Sequence, residues 1–114
     1  MRFSLLLLAC LTLVLMAGEA DAKDPEWSYN TGAGVTSTAV SADGEYIVAG
    51  SQDCKVYFFD KDSSMPLWNY TTGDNHVNSV AISADGEYIV AGSGDWNVYL
   101  FDKNSAMPLW NYTT

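Results

Sequence analysis

Two aspartate pairs recur at one fixed spacing, Asp43 with Asp85 and Asp53 with Asp95, and these are the residues best placed for chemistry in the 114-residue chain. Paired carboxylates do acid-base work when their surroundings split their pKa values. A residue that returns in every unit is more simply a turn former, because an Asp side chain accepts hydrogen bonds from nearby backbone N–H groups. His76 could titrate near neutral pH or bind a metal, yet it is the lone histidine, and no cysteine or second histidine stands at ligand spacing. A structural hydrogen bond to Ser or Asp is the simpler expectation for it. No Gly-rich phosphate loop, GxSxG elbow, HExxH or CxxC occurs. The residues therefore predict no enzyme, with no catalytic, cofactor-binding or metal site and no cofactor.

What positions these aspartates is a tandem duplication. SADGEYIVAGS occupies 41–51 and again 83–93, and PLWNYTT occupies 66–72 and again 108–114. Laying 25–65 over 66–107 with a one-residue gap near Gly34 matches 27 of 41 positions, which leaves no room for coincidence. A period near 40–45 residues is the length of one four-stranded propeller blade, although helical repeats of the armadillo type are as long. The composition decides between them. Each unit holds short runs rich in β-branched and aromatic residues, such as VNSVAIS, EYIVAGS, NVYLFDK and PLWNYTT, divided by Asp-Gly, Gly-Asp and Ser-Ala-Met-Pro breaks. Asp43-Gly44 and Asp85-Gly86 suit tight hairpin turns. Pro66 and Pro108 lack a backbone N–H and belong at the start of an outer strand.

SVAISADGEYIVAGSGDWNVYLFD, residues 79–102, resembles the WD-repeat pattern of serine, apolar strand, DG turn, second strand, acidic turn and closing aromatic-Asp. The closing pair is Phe59-Asp60 and Phe101-Asp102 in place of Trp-Asp, and Gly-His survives at most as His76. The resemblance implies radially arranged blades, and the departures imply that the family's His-Ser-Asp-Trp network is not intact. FDKDSSMPLWNYTTG is also similar to repeats of quinoprotein-type propellers.

The fold expected is therefore all-β: two complete four-stranded antiparallel blades plus an extra outer strand, an incomplete propeller. The repeats run from about 25–65 and 66–107, with a partial one at 108–114. Two blades cannot close a ring of four to eight. The larger natural unit would arise by self-assembly or by continuation of the gene.

In propellers the outer-to-inner loop and the loop between the middle strands share one face. Here that face would carry Gly73, Asp74, Asn75 and His76 beside Gly94, Asp95, Trp96 and Asn97, with Asp53 and Cys54 from the first unit. Asp74, His76, Asp95 and Trp96 are the candidate partner-binding residues, Trp96 as an interface anchor. Trp27, Trp68 and Trp110 each precede a tyrosine by two residues, which places each pair on one side of its strand for packing between blades. Asn69 and Asn111 head N-x-T sequons and are glycosylation acceptors where the host has the machinery.

The N-terminus has a signal-peptide layout. Arg2 precedes an apolar run from Leu5 to Met16, and Ala20-Asp21-Ala22 ends the segment, so 1–22 is removed and the secreted chain is 23–114. The run is shorter than the roughly 20 residues that span a bilayer. An alternative reading takes Leu7-Leu8-Ala9-Cys10 as a lipobox, which would anchor the chain by lipid on Cys10. Removal of 1–22 leaves 4 basic and 12 acidic residues, a surface that repels nucleic acid and anionic membranes. It also leaves Cys54 as the one cysteine, with no disulfide to form. The function expected is a non-enzymatic extracytoplasmic scaffold that binds a protein or glycan. A fragment of a quinoprotein-like enzyme and a repetitive structural surface protein are the alternatives.

Overall fold

The structure is a computed structural model that describes residues 23–114, so the expected signal segment and Cys10 lie outside the described residues. Eight strands follow in order: β1 (Val35–Val40), β2 (Tyr46–Ser51), β3 (Lys55–Asp60), β4 (Trp68–Thr71), β5 (Val77–Ile82), β6 (Tyr88–Ser93), β7 (Asn97–Asp102) and β8 (Trp110–Thr113). They form two four-stranded antiparallel meanders, β1-β2-β3-β4 and β5-β6-β7-β8, as the repeat predicts. No helix among the described residues is long and apolar enough to cross a membrane.

The turns form for the reasons the sequence suggests. Gly44 and Gly86 have φ of 74° and 76°, a left-handed conformation that glycine adopts without steric cost. The Asp43 carboxylate accepts from the Ser41 hydroxyl at 2.6 Å and the Glu45 N–H at 3.0 Å, and Asp85 does the same with Ser83 and Glu87. These aspartates hold turns together. Pro66 and Pro108 stand just ahead of β4 and β8, where the sheet needs no donor.

The two meanders match strand for strand. Val48 stands opposite Phe58 and Val56 opposite Tyr70 in the first, and Val90 opposite Leu100 and Val98 opposite Tyr112 in the second. One sheet face of the first blade packs on the opposite face of the second. Val48, Val56 and Phe58 meet Val77, Val80, Ile89, Ala91, Tyr99 and Phe101 in one buried cluster, with Trp68 and Tyr70 packed against it.

The extra outer strand differs from expectation. Residues 27–30 form no ladder, because an outer strand pairs with the third strand of the preceding blade and the described residues contain no such blade. Its side chains are nonetheless seated. Trp27 lies 5.3 Å from Phe59, and its Nε1 donates to the Lys61 carbonyl at 2.6 Å. Trp68 makes the same pair of contacts one blade on, 5.1 Å from Phe101 and 2.9 Å from the Lys103 carbonyl.

Candidate functional site

Two loops meet at one edge of the second blade, residues 72–76 before β5 and 94–96 between β6 and β7. The Gly94 N–H donates to the His76 carbonyl at 2.9 Å, and the Gly73 N–H donates to Asp95 Oδ2 at 2.8 Å. A Cβ on Gly73 would fall 2.8 Å from that same carboxylate oxygen, so the close approach requires glycine. Asp95 Oδ1 accepts from the Asn97 N–H at 2.9 Å, and the Tyr99 hydroxyl donates to Oδ2. The turn is thus pinned by one carboxylate that ties β7 to the loop entering the blade.

The electrostatics follow from those bonds. Burial by itself would raise the Asp95 carboxyl, but the Tyr99 hydroxyl and the Gly73 and Asn97 N–H groups outweigh it and hold the group below the ordinary carboxylate value. Burial and the neighbouring carboxylate push the Tyr99 hydroxyl up to about 12. The first blade repeats the arrangement. Asp53 accepts from the Tyr57 hydroxyl, from the Gly32 N–H at 3.0 Å and from the Lys55 N–H at 3.0 Å, and its carboxyl is likewise held low against the raising effect of burial. In both blades the carboxylate thus accepts from a tyrosine hydroxyl, from a glycine N–H of the entering loop and from the N–H two residues on, and so holds turn, strand and loop together.

The two loops that carry the candidate binding residues adjoin each other. Trp96 has φ of 72° and is 72% exposed, so the turn holds its indole out from the edge. Asp74 and His76 are exposed on the adjoining loop. The Ser93 hydroxyl reaches the His76 main-chain carbonyl at 3.2 Å, whereas the imidazole makes no hydrogen bond among the described residues. Cys54, the counterpart of Trp96, also has φ of 72° and is half-buried, and its main-chain carbonyl holds the Thr72 N–H and hydroxyl at 2.8 and 2.9 Å. Asn69 and Asn111 are exposed on β4 and β8. Among the described residues no three His, Cys, Asp or Glu side chains gather in a way that could hold a metal ion.

The sequence reading missed Tyr57 and Tyr99. The signal was present, since Asp-x-x-x-Tyr recurs at 53–57 and 95–99, and a four-residue offset from a turn into the next strand brings the hydroxyl back over the carboxylate. The two Asp-Tyr clasps thus repeat from blade to blade. A cavity of about 370 Å³ opens on the far face of the second blade, lined by Asn78, Gly92, Ser93, Trp96, Val98 and Thr114.

The sequence signature of the WD40 family, described as WD domain, G-beta repeat, matches residues 25–60 and again 65–102. No curated protein sequence matches the chain. Among solved structures, that of U3-55K superposes with a TM-score of 0.67 at 22% identity, over 75% of this chain and 28% of that one. This chain therefore spans little more than a quarter of that neighbour's length, and the likeness at such identity speaks for the fold. Chains with this repeat typically serve as scaffolds for protein interaction and not as enzymes. With two matched repeats over more than half its length and both four-stranded blades in place, the chain belongs to the WD-repeat family of β-propeller proteins.

Proposed function

We propose that this chain is a non-enzymatic extracytoplasmic binding module that offers the edge formed by 73–76 and 94–97 to a protein partner. Trp96 carries the reading. It is a large amphipathic side chain, 72% exposed, on a backbone fixed by the Asp95 clasp. An anchor whose backbone is already ordered loses less entropy on binding than one on a mobile loop. Asp74 and the His76 imidazole border it and offer polar rim contacts, and these would also suit a glycan hydroxyl. Support for the location comes from residues 1–22 alone, with the charge, apolar run and small residues of a secretion signal.

Two measurements test this. Expression in a secreting host followed by N-terminal sequencing should give a mature chain that starts at Lys23; an intact chain retained in the cytoplasm would refute the location. A photo-reactive residue at position 96 should cross-link one protein from the secreted milieu, and Trp96→Ala should abolish its binding with the circular dichroism spectrum unchanged. Undiminished binding by Trp96→Ala removes the assignment of the edge.

A further inference from the structure

The two N-x-T sequons have no part in the binding edge, and their place in the fold gives them a different use. Asn69-Tyr70-Thr71 lies in β4 and Asn111-Tyr112-Thr113 in β8, the outermost strand of each sheet. Period-two alternation sorts their side chains. Trp68 and Tyr70 pack on the buried cluster at the blade junction, so Asn69 and Thr71 point to the other face, and both are exposed. Each copy supplies what the other lacks. A complete blade follows Asn69 in the chain, and Asn111 stands opposite Tyr99, whose ring meets Tyr70 of the first blade at 5.4 Å. Asn111 is thus exposed on a face that another blade covers, so the position is open whether or not a blade lies in front of it.

We infer that Asn69 accepts an N-linked glycan and that the sugar covers the outer edge of the first blade. This rests on the extracytoplasmic location proposed above, because lipid-linked glycan donors are used on the outer side of the membrane. The acceptor pattern is an Asn amide two residues ahead of a Thr or Ser hydroxyl with no proline between. The extended strand puts Asn69 and Thr71 on one side, where one enzyme can reach both. Of the Asn and Thr side chains in the two sequons, only that of Thr113 is hydrogen-bonded among the described residues, donating to Asn97 Oδ1 at 2.7 Å. Lys55 stands opposite Thr71 where Asn97 stands opposite Thr113, so the first sequon is the freer of the two. In the transfer, Asn69 Nδ2 forms a bond to the anomeric carbon of an oligosaccharide carried on a polyprenyl diphosphate. The bond from that carbon to the diphosphate oxygen breaks, the lipid diphosphate leaves with the electron pair, and one Nδ2 proton passes to a base of the transferase.

The backbone shows what the sugar does there. The Thr72 N–H donates inward to the Cys54 carbonyl at 2.8 Å, and in an antiparallel ladder inward and outward residues alternate. Tyr70 therefore turns its N–H and C=O toward β3, while Asn69 and Thr71 turn theirs away from the sheet. Such a row of free groups is a template on which a strand of another molecule can add, and proteins commonly blunt it with charged side chains. The four residues of β4, WNYT, carry no charge. An oligosaccharide on Asn69 is bulky and solubilising, and it stands over that row.

Mass spectrometry of the full chain, expressed with its own residues 1–22 in a host whose secretory pathway attaches N-glycans, tests this. The secreted protein should be heavier by an oligosaccharide on the peptide that contains Asn69, and peptide N-glycosidase in heavy-oxygen water should mark that residue. Asn69→Gln and Thr71→Ala should each lose this glycan, Thr71→Ser should keep it, and Asn111→Gln should leave it in place. A secreted chain that is unmodified at Asn69 overturns the inference and leaves the location standing. A chain retained in the cytoplasm refutes the location instead, and the same chain behind the host's own signal then decides the site: a glycan on Asn69 sustains it, and an unmodified secreted product overturns it. Light scattering against concentration checks the task of the sugar. Enzymatically deglycosylated protein should associate at lower concentration than the glycosylated form, and identical curves overturn the covering of the edge.

Discussion

The hexapeptide YIVAGS occurs twice, as β2 and as β6, in matching places of matching blades, and its two copies live in different surroundings. In β2 the last four residues are all buried. In β6 burial falls to Ile89 and Ala91, while Tyr88 and Val90 are exposed. The strand conformation is the same in both, with the same register to the following strand. Backbone form is therefore set locally by the alternation and the Asp-Gly turn, whereas stability is set by whether another blade lies on the face. Residues of identical type contribute very differently on the two sides of the molecule.

The largest expected contrast is between Trp68 and Trp110. Trp68 stacks on Phe58 and Phe101, each at 5.1 Å, and hydrogen-bonds across the junction to the Lys103 carbonyl. Trp68→Ala opens a hole in the one place where the blades are joined and should cost about 3 kcal/mol. Trp110→Ala removes a half-exposed ring from an uncovered face and should stay within about 0.5 kcal/mol. Urea titrations of the two variants measure the difference. Equal losses would mean that Trp110 is as well packed in solution as Trp68.

A glycine pair gives the next contrast. Gly50→Val drives methyl groups into Val77 and Val80, both packed against the blade-one sheet, and such overpacking costs about 1 to 3 kcal/mol. Gly92→Val meets open space. In a monomer it should be neutral or slightly stabilising, because a β-branched residue suits a strand better than glycine. Thermal unfolding followed at 218 nm would show a lowered transition for the first variant and an unchanged one for the second.

Much of this molecule can be read from its residues. Repetition of Asp43-Gly44 at Asp85-Gly86 fixed the hairpins, and the β-branched runs fixed the strands, because both are local effects of side-chain shape and backbone freedom. Convergence of 73–76 with 94–97 followed from blade topology once the repeat was recognised. What could not be read is whatever depends on a neighbour. Residues 27–30 carry the same Trp-x-Tyr pattern as β4 and β8, yet they form no ladder, since pairing needs a third strand that no local pattern supplies. The clasps of Tyr57 and Tyr99 escape a local reading because each carboxylate also needs the Gly32 or Gly73 N–H, which a separate loop brings to it.

Those clasps make the finest comparison, because one carboxylate chemistry holds two different things. Asp95 holds Gly73 and so the loop that joins the blades, while Asp53 holds Gly32 and so the N-terminal segment. Both carboxyls sit below the ordinary aspartate value of 3.8, so the unfolded chain takes up protons first as the pH falls. The stability they supply is complete above about pH 4 and is lost as the pH drops through the lower folded values. Tyr99 runs the opposite way. Its hydroxyl rises from 10.0 to about 12, so its contribution is complete below pH 10 and disappears as the pH climbs toward 12. Tyr99→Phe removes one hydrogen bond to a charged group, should cost about 1.5 kcal/mol at neutral pH, and should flatten the alkaline limb of the stability profile. Tyr57→Phe removes the same bond from the other clasp, but there it loosens only Gly32 and the segment that seats Trp27. Its signature should be a red shift of tryptophan emission with little change in the unfolding midpoint. A midpoint loss as large as that of Tyr99→Phe would show that the N-terminal segment is as much a part of the cooperative core as the blade junction itself.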